Sequence, residues 1–136
     1  MKYYHIKLIL ILLLPLLLSC KNLKCCKNKN DVKNALNGFW KQKNIDSNEI
    51  NRYLFDSKYE YGILYKAQYT DEKKLSIEGP TYISHTNIIV KKSFGFFKLK
   101  FVSLSGQVIF KIKYLDEQKL ILKTKGKEIE YKKIIE

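Results

Sequence analysis

Arginine is almost missing from this chain, since Arg52 stands alone against 25 lysines. Proteins that read nucleic acid rely on arginine's planar fork for bidentate contacts to bases and phosphates, so so one-sided a basic composition argues against nucleic acid as a partner. Histidine occurs only at positions 5 and 85, and cysteine only at 20, 25 and 26. A zinc centre needs about four such ligands converging on one point, and His85 has no second imidazole or thiol near it in sequence, so neither a metal nor another cofactor is expected. The G-x-S-x-G, phosphate-loop and H-E-x-x-H patterns are absent too. The acids that cluster, Asp71-Glu72 and Asp116-Glu117, fall in turn-like stretches where solvated charge is their ordinary role. A general base needs a nucleophile and an orienting group within reach, and nothing pairs His85 with either. The chain is expected not to be an enzyme. Proline is scarce as well: Pro15 lies in an apolar run and Pro80 follows Gly79 at a break between two strand-like stretches.

The chain opens with Lys2, His5 and Lys7, then runs apolar from Leu8 to Leu18 and ends in Leu17-Leu18-Ser19-Cys20. An apolar core that short falls below the roughly 20 residues that cross a bilayer as a helix and matches the hydrophobic part of a secretory signal. The leucine three before, the small residue one before, and the cysteine itself resemble the lipobox of bacterial lipoproteins. That resemblance implies a leader at 1–19 cut before Cys20, lipid on the Cys20 thiol, and a membrane-anchored protein of the bacterial cell envelope, periplasmic or surface-facing. Residues 20–30 then read as the lipidated cysteine and a lysine-rich tether, and 31–136 as one domain. Cys25 and Cys26 sit on the tether; adjacent cysteines close a disulfide against the usual spacing of α-carbons, and an incidental pair is the simpler expectation.

Cutting before Cys20 leaves 117 of 136 residues, one domain's worth. The net charge of +13 falls by two with Lys2 and Lys7, to +11, which suits an anionic partner such as lipid headgroups or an envelope polymer. An AT-rich coding sequence also yields many lysines, asparagines, isoleucines and tyrosines, so part of that charge has a duller source.

Asp31 to Gly38 reads as a short helical turn, capped by Asn30 or Asp31 and ended by Gly38. Beyond it the period changes to two. Tyr59, Tyr61, Ile63, Tyr65, Ala67 and Tyr69 share one face; Phe97, Leu99 and Phe101 share another; Val108, Phe110, Ile112 and Tyr114 alternate with Ile109, Lys111 and Lys113. Leu120 with Leu122, then Ile129 with Tyr131, carry the pattern to the end. Such alternation marks half-buried antiparallel strands, and Ser105-Gly106, Lys125-Gly126 and Asp116-Glu117-Gln118 supply turns between them. About eight or nine short strands with short links make an all-β, up-and-down antiparallel barrel, which hides its edges by closing.

Gly38-Phe39-Trp40 at the first strand, followed by this order of strands and turns over 36–134, resembles the lipocalin-like domains of small bacterial envelope lipoproteins. In lipocalins the G-x-W tryptophan plugs the closed end of the barrel, the place the resemblance gives Trp40. An arginine near the last strand usually lies across that ring; here only Lys127, Lys132 or Lys133 is available. What the resemblance implies is a lipid-anchored barrel holding a small apolar or amphipathic ligand, with Tyr61, Ile63, Tyr65, Phe97, Leu99, Phe101 and Phe110 as the lining. The alternative is a structural or interaction lipoprotein whose barrel is filled by its own side chains. Lys66, Lys98, Lys100, Lys111, Lys113 and Lys123, on the opposite strand phase, would then offer a basic surface to an envelope partner.

Overall fold

The two-residue period is realised in eight strands: β1 (Gly38–Gln42), β2 (Glu49–Phe55), β3 (Tyr61–Gln68), β4 (Thr81–Ser93), β5 (Phe96–Ser103), β6 (Gly106–Leu115), β7 (Lys119–Thr124) and β8 (Lys127–Ile134). The computed structural model of the protein describes residues 23, 25–70 and 79–134; the expected leader at 1–19, Cys20 and the Asp71-Glu72 stretch lie outside the described residues. Each strand pairs antiparallel with its neighbour in sequence, and β1 returns to β8 from Phe39↔Ile134 to Gln42↔Tyr131, so one sheet closes into a ring. The fold among the described residues is therefore mostly β, one ringed antiparallel sheet with one short helix. No described helix is long and apolar enough to cross a membrane.

That helix, α1 (Lys29–Leu36), starts two residues earlier than the sequence pattern suggests. The cap is Asn28: its Oδ1 accepts from the Asp31 N–H at 3.0 Å, while Asp31 Oδ2 accepts from the Asn28 and Lys27 N–H groups at 3.1 and 2.8 Å. These reciprocal bonds satisfy donors that a helix start otherwise leaves open, and they hold the Asp31 carboxyl below its ordinary pKa. Val32 and Leu36, four apart on one face, are fully buried over one end of the ring. Asn37 fastens that end to β2, donating to the Phe55 carbonyl at 3.1 Å and accepting from the Phe55 N–H at 2.6 Å. The segment before the helix packs as well: Leu23 rests on the core and Cys26 lies within it. Cys26 is disulfide-bonded to Cys25, so the pair is joined rather than two incidental free thiols.

Register sets which residues face inward. Trp40 pairs with Asn51, Tyr53 with Leu64, Gly62 with Ile88, and Val90 with Leu99. On the far side Leu99 pairs with Phe110, Ile112 with Leu122, and Leu120 with Tyr131. These chains of partners share one face, and their apolar members are buried or packed on the core. Two irregularities reset the alternation. The β3–β4 ladder shifts between Lys66 and Ala67, where β4 carries Ile83 as an extra residue. The β6–β7 ladder shifts between Ile112 and Tyr114, with Lys113 as the extra residue, which turns Leu115 inward and leaves Tyr114 exposed. Tyr114 thereby leaves the face it shares with Phe110 and Ile112 in the sequence pattern.

The tyrosine ladder of β3 is the larger correction. Its period of two is present, but it runs along the outer wall. Gly62 and Leu64 point into the ring, so Tyr61, Ile63 and Tyr65 point away from it.

Candidate functional site

At the helix-capped end, Trp40 is fully buried and its indole N–H donates to the Leu36 carbonyl at 2.7 Å. That carbonyl belongs to the last turn of α1, where helix acceptors lack an intrahelical partner. Lys133, directly across the β1–β8 ladder from Trp40, holds its Nζ 5.2 Å from the ring centroid and donates to the Ala35 carbonyl at 3.2 Å. Burial lowers the Lys133 pKa from its ordinary value, with Glu117 opposing the shift. Of the three lysines open to this role in sequence, the register selects Lys133. The glycine two before the tryptophan is also accounted for: Gly38 has φ +121, and a Cβ there would come within 2.8 Å of the Lys133 side chain.

The expected pocket residues separate into three groups. Phe97 and Leu99 are buried in the core near the capped end. Phe101 and Phe110 do face each other inside the ring, edge to face with centroids 5.1 Å apart, and so close over that layer. Tyr61, Ile63 and Tyr65 line no interior space, and Tyr61 is half exposed. Beneath these, Trp40, Tyr53, Ile88, Leu115, Leu120 and Leu122 fill the interior. Burial raises the Tyr53 phenol well above its ordinary range, with Tyr131 adding to the shift. Toward the open mouth a small space of about 120 Å³ remains, lined by Trp40, Gln42, Glu49, Asn51, Lys66 and Tyr131 among others. That is well short of the roughly 300 Å³ at which drug-sized pockets begin. Three larger depressions lie against β1 and β8: one of about 320 Å³ beside the mouth, lined by Gln42, Ile45, Ile121 and Ile129 among others, and two of about 610 and 670 Å³ that include the outward-facing Phe39 and Lys132.

The outer wall carries two contrasting surfaces. Over β1–β4 the guanidinium of Arg52 sits between the rings of Phe39 and Tyr82, 5.0 and 5.8 Å from their centroids, and bonds the Tyr82 hydroxyl. Tyr65 adds its ring 5.0 Å from Tyr82 and 6.2 Å from His85. Nearby, Phe39, Ile50, Ala67 and Tyr69 form a second buried cluster outside the ring, which is why two members of the tyrosine-bearing face are covered although they point outward. Sequence reasoning missed Arg52; its being the single arginine among lysines was the available signal.

Over β4–β7 the surface is basic. Lys91 pairs with Lys98, Lys98 with Lys111, and Lys111 with Lys123, which places four lysines side by side in one row across four strands. Like charges in direct register disfavour a sheet. Glu128 relieves only one side, at 2.5 Å from Lys113 and 3.9 Å from Lys123. Lys100 also faces outward, whereas Lys66 is corrected: paired with Asn51, it belongs to the mouth.

No group of three or more metal-ligating side chains exists among the described residues. His85 stands exposed on the aromatic wall. Comparison with protein-family models, curated proteins and solved structures gave no match.

Proposed function

We propose that this chain is a membrane-anchored envelope lipoprotein with a filled, lipocalin-like ring, and that it works as a non-enzymatic interaction module through its outer walls. The observation that carries this reading is the interior itself. Large apolar side chains occupy it, and three of the seven residues expected to line a pocket face outward instead. An interior occupied by Trp40, Tyr53, Ile88, Leu99, Leu115, Leu120 and Leu122 among the described residues favours this reading over carriage of a small apolar or amphipathic ligand. The Gly38-Phe39-Trp40 motif with Lys133 across the indole supports the lipocalin-like assignment, a lysine standing where lipocalins usually place arginine. The lipobox resemblance at Leu17-Leu18-Ser19-Cys20 supports lipid on Cys20, with the mature chain held at a membrane of the bacterial envelope.

Metabolic labelling with palmitate tests the anchor. The wild-type chain is expected to take up label and float with membranes, and Cys20→Ala to lose the label and stay unprocessed. A labelled Cys20→Ala chain, or an unlabelled wild type, overturns it.

A further inference from the structure

We propose that the β4–β5 hairpin seats the helix-capped end of the ring on an anionic phospholipid surface, with Phe94 entering the headgroup layer and Lys91, Lys98 and Lys111 meeting the lipid phosphates. The inference rests on the lipid-anchored reading above and adds how the domain lies on its membrane.

The turn at the hairpin tip is Phe94-Gly95, with φ of +49 and +78. Two-residue turns with both φ positive strongly prefer asparagine, aspartate or glycine at the first place, because a bulky side chain is strained in the left-handed region. The corresponding turn between β7 and β8, Lys125-Gly126, has φ of +44 and +80 and a solvated lysine at that place. Phe94 is instead unfavourable both in backbone and in solvation, its side chain being 96% exposed. A residue that breaks the local rule without a gain inside its own fold points to a function outside it.

The tip also projects. β3 last pairs with β4 at Tyr61↔Ile89, and β6 first meets β5 at Lys98↔Lys111, so Val90 to Ser93 pair with β5 alone and Phe96 and Phe97 with β4 alone. Behind the tip stand Lys91 and Lys98, without a carboxylate partner among the described residues, and Lys111, whose Nζ lies 3.4 Å above the Phe96 ring. Asp31 of α1 is engaged by the Lys27 and Asn28 N–H groups, and the other acids of this end, Asp56 with Glu60 and Asp116 with Glu117, sit in the hairpins to either side. They keep those hairpins off an anionic surface and leave β4–β5 as the point of contact.

Chain connectivity places the membrane at this same end. Lys92 Nζ donates to the Lys27 carbonyl at 3.1 Å, and Leu23 already packs on the core. Cys20 precedes Leu23 by three residues, which span about 10 Å when fully extended. A lipid on Cys20 therefore holds the capped end within about that distance of the bilayer. An exposed aromatic ring flanked by lysines is the combination that settles into an anionic interface.

The test uses the full lipidated chain carrying Phe94→Trp, reconstituted into phosphatidylcholine vesicles with or without phosphatidylglycerol, with bromine on the acyl chains as quencher. Emission is read against the same chain with Trp40 alone. In phosphatidylglycerol vesicles the added emission is expected to be quenched, as for a ring settled at the headgroup/acyl boundary. Each lysine at such a surface is worth about fivefold in partition, so Lys91→Glu, Lys98→Glu and Lys111→Glu together are expected to abolish the quenching. Unchanged Trp40 emission in the charge-reversed chain verifies its fold. An unquenched position 94, or quenching equal in pure phosphatidylcholine and in the charge-reversed chain, overturns the proposal. The intact mass of the same preparation reports the anchor separately. A chain without lipid on Cys20 removes the anchored reading and this inference with it, whereas a lipidated chain with an unquenched position 94 removes the docking alone.

Discussion

Gly62→Ala distinguishes an inward from an outward phase for β3 by the sign of its effect. Gly62 lies opposite Phe55 in the β2–β3 ladder and has an ordinary extended backbone, so space rather than φ makes glycine necessary there. A Cβ at position 62 would stand 2.3 and 2.6 Å from two carbons of the Phe55 ring and 2.7 Å from the Leu54 carbonyl oxygen. The ring has little room to turn, being buried in the core. The strand cannot slide either, because Asn37 bonds both the N–H and the carbonyl of Phe55. Overpacking of this kind costs about 1–3 kcal/mol, and the backbone contact places the expected loss toward the upper end. For a domain of this size each kcal/mol moves Tm by roughly 4 °C, so Gly62→Ala should melt roughly 8–12 °C below the wild type. If Tyr61, Ile63 and Tyr65 faced inward instead, position 62 would be on the outside, and alanine would stabilise the strand by about 0.5–1 kcal/mol. Thermal and urea unfolding followed by circular dichroism read the difference. Phe55→Leu in the Gly62→Ala background should return part of the loss, since the two residues are in contact. A Gly62→Ala chain as stable as the wild type, or more so, refutes the inward placement of Gly62 and the register built on it.

Two further outcomes follow from the buried groups. Lys133→Gln removes the cation facing Trp40 and is expected to cost about 1–2 kcal/mol and to shift Trp40 emission, whereas Lys133→Arg should keep both; an unchanged emission in Lys133→Gln contradicts the contact. Tyr53 governs the alkaline limit, because burial holds its phenol neutral above the ordinary value of 10.0. Above about pH 10 the unfolded chain gives up that proton while the folded chain keeps it, so the folded state binds more protons and stability falls as pH rises. Urea midpoints that stay level from about pH 9 to 12, or a Tyr53→Phe chain that keeps the full alkaline slope, contradict this.

Much of the architecture was legible in the sequence because alternation is local. The strands from Phe97 to Phe101, Leu120 to Leu122 and Ile129 to Tyr131 were readable in both period and phase. In β3 the period was readable and the phase was not. The tyrosine-bearing face looks more apolar than Gly62, Leu64, Lys66 and Gln68, yet it points outward. Part of it is covered by the second cluster of Phe39, Ile50, Ala67 and Tyr69, and tyrosine tolerates half exposure because it carries a hydroxyl on an apolar ring. The inward face manages with a glycine because Phe55 fills the space above it. Bulges hid the rest: with Lys113 as an extra residue, Leu115 and not Tyr114 completes the core, and nothing in the spacing marks that shift. Trp40 was readable from its glycine, whereas the choice of Lys133 over its neighbours needed the β1–β8 register. The lysine row was visible as composition, but only the pairing of β4 through β7 shows the side chains to be aligned.

Native mass spectrometry of the full chain, purified intact from its own host, tests the filled ring most directly. The expected spectrum shows the mass of the covalent protein and no non-covalent adduct. A stoichiometric small-molecule adduct that survives exchange into fresh detergent, and that is lost when Phe101 or Phe110 is enlarged to tryptophan, would contradict the account and restore the interior as a binding site.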